Sequence, residues 1–296
     1  MTVKQPDRVI GPVAFKTTAG IVPGATSRKR GGYESTRTNS TGVLPEKMEN
    51  GAQNNRTRES ESRTMIRLIE ALNFRCLRYV RQPLGPFHVL VGPNASGKTT
   101  FLDVVGFLGR LVSDGLEAAV SERTQNFQDL LFGRAGDSFE LAVEAVIPED
   151  RKASLKRSFD TIRYEVKIGL DPDGGEIGIL GEKAWLKTWK NASTVRGLFP
   201  VEPETPGTIL SGKARSGWQG VLTKRYRGND NFYVEARAPG GGKGWFPSIR
   251  LGPRKSALGN LPEDESRFPV ATWLKTMLTQ GVQSLVLNSL SRMNSA

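Results

Sequence analysis

The run Val89-Leu90-Val91-Gly92-Pro93-Asn94-Ala95-Ser96-Gly97-Lys98-Thr99-Thr100-Phe101-Leu102 sets an apolar stretch, a glycine-bounded turn and an apolar-periodic segment in immediate succession. Gly92 to Thr99 satisfy G-x-x-x-x-G-K-[ST] at every fixed position, and strand-before, helix-after is the context in which that spacing cradles phosphate. Gly92 and Gly97 open backbone angles closed to residues with a Cβ. The amides of Pro93's successors, Asn94, Ala95 and Ser96, can then turn inward around an anion at the positive end of the following helix. Lys98 is placed to reach the β- and γ-phosphates of a nucleotide. The Thr99 hydroxyl is the expected protein ligand to Mg²⁺, and Thr100 can add a hydroxyl on the α-phosphate side.

The helix after the loop places Phe101, Val104, Val105, Leu108, Leu111 and Val112 on one face at spacings of three and four. Before the loop, Ile66 to Val80 reads as a long strand or bent strand pair ended by the Gln82-Pro83-Leu84-Gly85-Pro86 turn, and Phe87 to Val91 reads as the strand that enters the loop. After it the period changes to two: Phe139 to Ala145, Ile162 to Ile168 and Glu176 to Leu180 alternate, with Asp171-Pro172-Asp173-Gly174-Gly175 as a hairpin turn. Asp171, Asp173 and Glu176 do not have the spacing of a twelve-residue Ca²⁺ loop. Asn231 to Arg237 offers another strand, with Phe232, Val234 and Ala236 inward and Tyr233, Glu235 and Arg237 outward. Trp273, Leu274, Met277 and Leu278 make a helical stripe after Pro269, stopped by Gly281, and Val282 to Leu287 is a short strand candidate. The fold class is α/β: a P-loop core with an antiparallel β-rich insert at about 137–255, inside a lobe spanning 65–296.

Residues 1–64 are rich in Gly, Ser, Thr, Asn and Arg, lack periodicity, and read as a disordered basic tail. Met65 reads as the natural start, with an upstream extension before it. The single cysteine, Cys76, excludes a disulfide framework, and a lone His88 excludes most histidine-based metal or triad chemistry. Both read as packing residues in strands. No apolar run approaches the ~18 residues that span a bilayer, so the expectation is a cytoplasmic protein without a membrane partner. The net charge of +12 is concentrated in two places: residues 1–64, with 11 Lys/Arg against 6 Asp/Glu, and residues 183–255, with 14 against 4. The second zone also carries Trp185, Trp189, Trp218, Trp245 and Tyr226, the mixture of cation and aromatic that suits a nucleic-acid strand.

The ordered set Ile69 to Phe74 with Arg75-Cys76, then Pro86 to Val91, then Gly92-Pro93-Asn94-Ala95-Ser96-Gly97-Lys98-Thr99-Thr100, then Leu102-Asp103, resembles the SMC/RecF/OLD-like group of ABC-type ATPases, grouped among AAA-family ATPases of DNA repair and phage defence. The resemblance implies ATP and Mg²⁺ as cofactors, Arg75 beside the nucleotide, and an ATP-dependent homodimer or effector partner. It also implies DNA as a partner, for which the 183–255 zone is the candidate surface. Members of the group hydrolyse ATP with a second half that brings a signature motif and a strand ending in Asp-Glu. Leu210-Ser211-Gly212-Lys213 imitates the signature without a helix after it, and Leu285-Val286-Leu287-Asn288 has the apolar run without the acids. Gln125, Gln128, Gln280 and Gln283 offer no convincing metal-sensing glutamine. The chain therefore reads as a truncated N-terminal portion that binds ATP and hydrolyses it poorly, with its catalytic carboxylates unknown. A non-catalytic nucleotide-dependent interaction protein, or the remnant of a broken ATPase gene, is the alternative.

Overall fold

The computed structural model describes residues 65–189, 204–212, 215–237 and 248–284. The tail at 1–64, Trp245 and residues 285–287 of the Val282–Leu287 strand candidate lie outside them. β1 (Ile66–Phe74) and β2 (Leu77–Pro83) form a hairpin across the two-residue turn Arg75-Cys76, so the bent-pair reading of Ile66 to Val80 resolves into two antiparallel strands. β3 (Ser138–Val146), β4 (Thr161–Leu170), β5 (Ile177–Lys187), β6 (Gln219–Arg225) and β7 (Asp230–Phe232) continue one antiparallel sheet in the order β2-β1-β3-β4-β5-β6-β7.

Period-two alternation gives this sheet two unlike faces. Ile69, Ala71, Phe139, Leu141, Val143, Ile162, Tyr164, Val166, Ala184 and Leu186 belong to the main apolar core. Against it lies α1 (Lys98–Asp114), whose predicted stripe from Phe101 to Val112 is buried throughout. Phe74, Phe107 and Phe139 meet as a three-ring cluster with centroids 5.0–5.8 Å apart. The short α2 (Leu116–Ser121) follows α1, α3 (Glu149–Lys152) lies between β3 and β4, and α4 (Pro269–Gln280) packs on α1. That last contact is close: a Cβ on Gly109 would stand 2.5 Å from the Leu278 carbonyl oxygen.

The opposite face carries Glu70, Glu140, Glu144, Arg163, Glu165 and Lys187, all buried. A strap at 208–211 covers part of it. Glu140 accepts from Thr208 Oγ1 and the amide of Ile209, while Glu165 accepts from the Ser211 amide and Trp185 Nε1. Arg163 binds Glu70, Glu144 and Glu165 at 2.8–3.1 Å. Burial pulls the Arg163 pKa down, but these three carboxylates more than offset it and keep the guanidinium charged.

Two expectations need correction, those for Asn231 to Arg237 and for Phe87 to Val91. Asn231 to Arg237 is extended only at its start, and Glu235 points inward because it accepts the amides of Val270 and Ala271 at the start of α4. Leu210-Ser211 lies in the strap and, as expected, no helix begins there. Phe87 to Val91 is not a strand: no neighbouring strand takes its backbone bonds, and Phe87, Val89 and Val91 are 83%, 56% and 68% exposed.

Candidate functional site

The first turn of α1 is built by its flanks. Gly97 takes a left-handed conformation at φ 88° as the residue before the helix, and a Cβ there would crowd Cys76 Sγ and Leu77 at 3.2 Å. Ala95 also takes a positive φ of 62°, at a small steric cost for a residue with a Cβ. A side chain at Gly92 would meet Ser96 Oγ at 2.8 Å. Gly92, Pro93, Asn94 and Ala95 are exposed, Ser96 is half-buried and Gly97 buried.

The donors in this loop are left over. The amides of Ala95, Gly97, Lys98 and Thr99 have no acceptor among the described residues, and the first turn of α1 holds no acidic side chain. An N-terminus in that condition favours an anion through its free N–H groups and its dipole together. Lys98 Nζ folds back onto the loop, donating to the carbonyls of Gly92 at 2.8 Å and Pro93 at 2.6 Å and to Ser96 Oγ at 3.2 Å. A phosphate oxygen would be a stronger, charge-assisted acceptor for the same ammonium. These residues therefore fit a nucleotide polyphosphate. Thr99 is exposed at the mouth of the loop, where its hydroxyl could hold Mg²⁺. Thr100 is buried, and its hydroxyl accepts from Cys76 Sγ at 3.3 Å. Cys76 is thus an exposed turn residue leaning on α1, and His88 accepts the Gly85 amide in a loop.

Arg75 sits in the β1–β2 turn with φ 52°, its amide bonded to the Leu130 carbonyl at 2.8 Å. Its guanidinium reaches Asp103 on α1 at 3.2 Å. Asp103 is also clamped by Arg123, whose Nε and Nη2 lie 2.6–3.0 Å from its oxygens and whose guanidinium lies 5.1 Å from the Phe107 ring centroid. The sequence pointed to Arg75; the Asp103–Arg123 pair behind it has no local signal, because its partners stand twenty residues apart.

Part of the basic zone is neutralised from within. Lys187 binds Glu144 at 2.8 Å, Lys224 binds Asp230 at 2.9 Å, and Arg227 spans Asp171 and Asp173. Lys183 donates to the Ser211 carbonyl. Trp185 is buried, Trp218 carries Lys187 and Arg215 over its ring, and Trp189 carries Arg67 and Lys187. Arg225, Arg237, Arg250 and Lys255 remain exposed.

Comparison with known proteins agrees with the loop. Residues 87–213 match the family described as "AAA domain, putative AbiEii toxin, Type IV TA system". A 41-residue stretch is 46% identical to the OLD nuclease of Thermus scotoductus, covering 14% of this chain and 8% of the length of that relative. A solved structure, "Structural biochemistry of ATP-driven dimerization and DNA stimulated activation of SMC ATPases", aligns over 42% of this chain and 70% of its own at 21% identity, with a TM-score of 0.30 that adds nothing to the assignment. Residues 87–213, which contain the loop, are similar to an AAA-type ATPase domain over less than half of the chain. Within that class the short matched stretch is similar to an OLD nuclease. Among the described residues no helix is long and apolar enough to cross a membrane.

Proposed function

We propose that residues 65–296 form the nucleotide-binding lobe of an SMC/RecF/OLD-type ATPase, with the β-rich insert at about 137–255 as its accessory subdomain. The observation that carries this reading is the row of unpaired amides at the start of α1 beside Lys98. Gly92 to Thr100 hold the polyphosphate of ATP, Lys98 exchanges its carbonyl contacts for phosphate oxygens, and Thr99 supplies the hydroxyl to Mg²⁺. Bound Mg²⁺ would neutralise charge on the phosphates. Arg75 approaches the same mouth from the hairpin turn, and Asp103 fixes where it starts.

Hydrolysis needs a carboxylate to orient the attacking water. The carboxylate nearest the loop in sequence, Asp103, is occupied by two guanidiniums. We therefore propose that this chain binds ATP and turns it over slowly, the catalytic acids arriving from a further segment or a partner subunit. DNA association through the exposed cations of 183–255, ATP-dependent pairing, a role in DNA repair or phage defence, and a cytoplasmic setting complete the proposal. Equilibrium binding of a fluorescent ATP analogue with Mg²⁺ tests its core. Micromolar binding lost in Lys98→Ala is the expected result; equal binding by the variant, or fast turnover by the wild-type chain, would overturn it.

A further inference from the structure

A cavity of about 450 Å³ opens where the α3–β4 connection passes the end of β5, lined by Lys152, Lys156, Arg157, Ser158, Asp160 and Thr188 with the buried Leu155 and Phe159 as its floor. Its charge is one-sided. Asp160 is the one acid in the lining, and its carboxylate is already occupied by Arg67, the Thr161 hydroxyl and the Trp189 amide. Lys152 shares its charge with Glu149. Lys156 touches a backbone carbonyl, that of Val234, at 3.2 Å, and Arg157 makes no ion pair among the described residues. Lys156, Arg157 and Ser158 are all exposed.

The backbone adds donors. The amides of Arg157 and Ser158 have no acceptor among the described residues. Arg237 is tied to the same wall, its amide bonded to the Ser154 carbonyl at 2.9 Å, and it makes no ion pair among the described residues. Cations that face water without carboxylate partners, next to unpaired amides in a concave site, form an anion receptor.

We infer that this cavity binds the phosphodiester backbone of a nucleic-acid strand. The inference rests on the nucleic-acid part of the proposed function and gives it a place: Thr188, Trp189 and Arg237 join the cavity to the 183–255 zone, in which Lys187 and Lys224 are held by internal carboxylates. A strand would lay successive phosphates along Arg157, Lys156 and Arg237. A lipid surface fits less well, because none of the large exposed apolar side chains lines the cavity and its Leu155 and Phe159 are buried.

The test is fluorescence anisotropy of a labelled oligothymidylate, without nucleotide, between about 50 and 200 mM salt. Lys156→Gln/Arg157→Gln removes two exposed charges, and a matched Arg78→Gln/Arg134→Gln variant, which removes two exposed cations outside the 183–255 zone, serves as control, each checked for folding by circular dichroism. The expected result is salt-dependent binding that the cavity variant weakens about tenfold at the lower salt, with the slope reduced by about 1.4, while the control stays within about twofold. Unchanged binding by the cavity variant would overturn the inference. So would absent salt-dependent binding by the wild type, competition by inorganic phosphate alone, or binding confined to anionic vesicles. Lys98→Ala should bind the oligonucleotide normally, so loss of the nucleotide reading and loss of this one are separately visible.

Discussion

The strap-covered face of the sheet and the loop before α1 are both rich in polar groups, yet they are organised in opposite ways. On the sheet, Arg163 meets three glutamates, and Glu140 and Glu165 are filled by strap amides. In the loop, amides stand without acceptors among the described residues and Lys98 makes do with the loop's own carbonyls. The first arrangement is closed and can only lose by change. The second is open, and what it lacks has the chemistry of an anion. Stability and ligand affinity are therefore held by separate sets of residues.

The contrast would be broken most severely by Arg163→Met, which leaves Glu70, Glu144 and Glu165 buried without their cation. A loss of about 3–5 kcal/mol in urea unfolding is expected. A destabilisation under about 1 kcal/mol would mean that the network is not closed. Next comes Gly109→Ala, which pushes α1 away from the Leu278 carbonyl and should cost about 1–3 kcal/mol. Because it loosens the seat of the loop, nucleotide affinity should fall with it.

Glu235 gives a smaller, pH-dependent effect. Burial pushes its carboxyl from 4.5 up to about 8, against the opposing amides of Val270 and Ala271. The folded chain thus keeps a proton there that the unfolded chain has released, so its contribution to stability is full below the ordinary value and is lost as pH rises through about 8. Unfolding midpoints should fall between pH 5 and 8 in the wild type. Glu235→Gln should flatten that trend; an unchanged slope would remove Glu235 as its source. Smallest for stability is Lys98→Ala, within about 0.5 kcal/mol by thermal melting. That variant nevertheless abolishes nucleotide binding if the loop is the open partner of the pair.

The stripe on α1, the alternation of β3 and β4 with the start of β5, and the stop at Gly281 were legible because local periodicity and burial agree there. β6 was not, lying at the edge of a Pro/Gly-rich stretch. Alternation did not show what covers the second face of the sheet: the strap that holds Glu140 and Glu165 arrives from more than forty residues downstream. Glu235 failed in the same way, since Val270 and Ala271 decide its direction. Phe87 to Val91 shows the converse, an apolar pattern that no neighbouring strand completes. The phosphate loop was legible as a motif; the Arg75–Asp103–Arg123 chain behind it depends on tertiary approach alone.

Strand order along the sheet follows chain order except at the β1–β2 hairpin, so each new strand finds its partner already in place. The β1–β2, β4–β5 and β6–β7 closures are short and of the kind that forms fast. α1 emerges early but rests on α4, which begins at Pro269, long after the last strand. During synthesis the sheet can gain hydrogen-exchange protection while the phosphate-loop helix still lacks one wall. Competence to hold a nucleotide should accordingly be among the last properties acquired as the chain leaves the ribosome, whatever the speed at which the sheet forms.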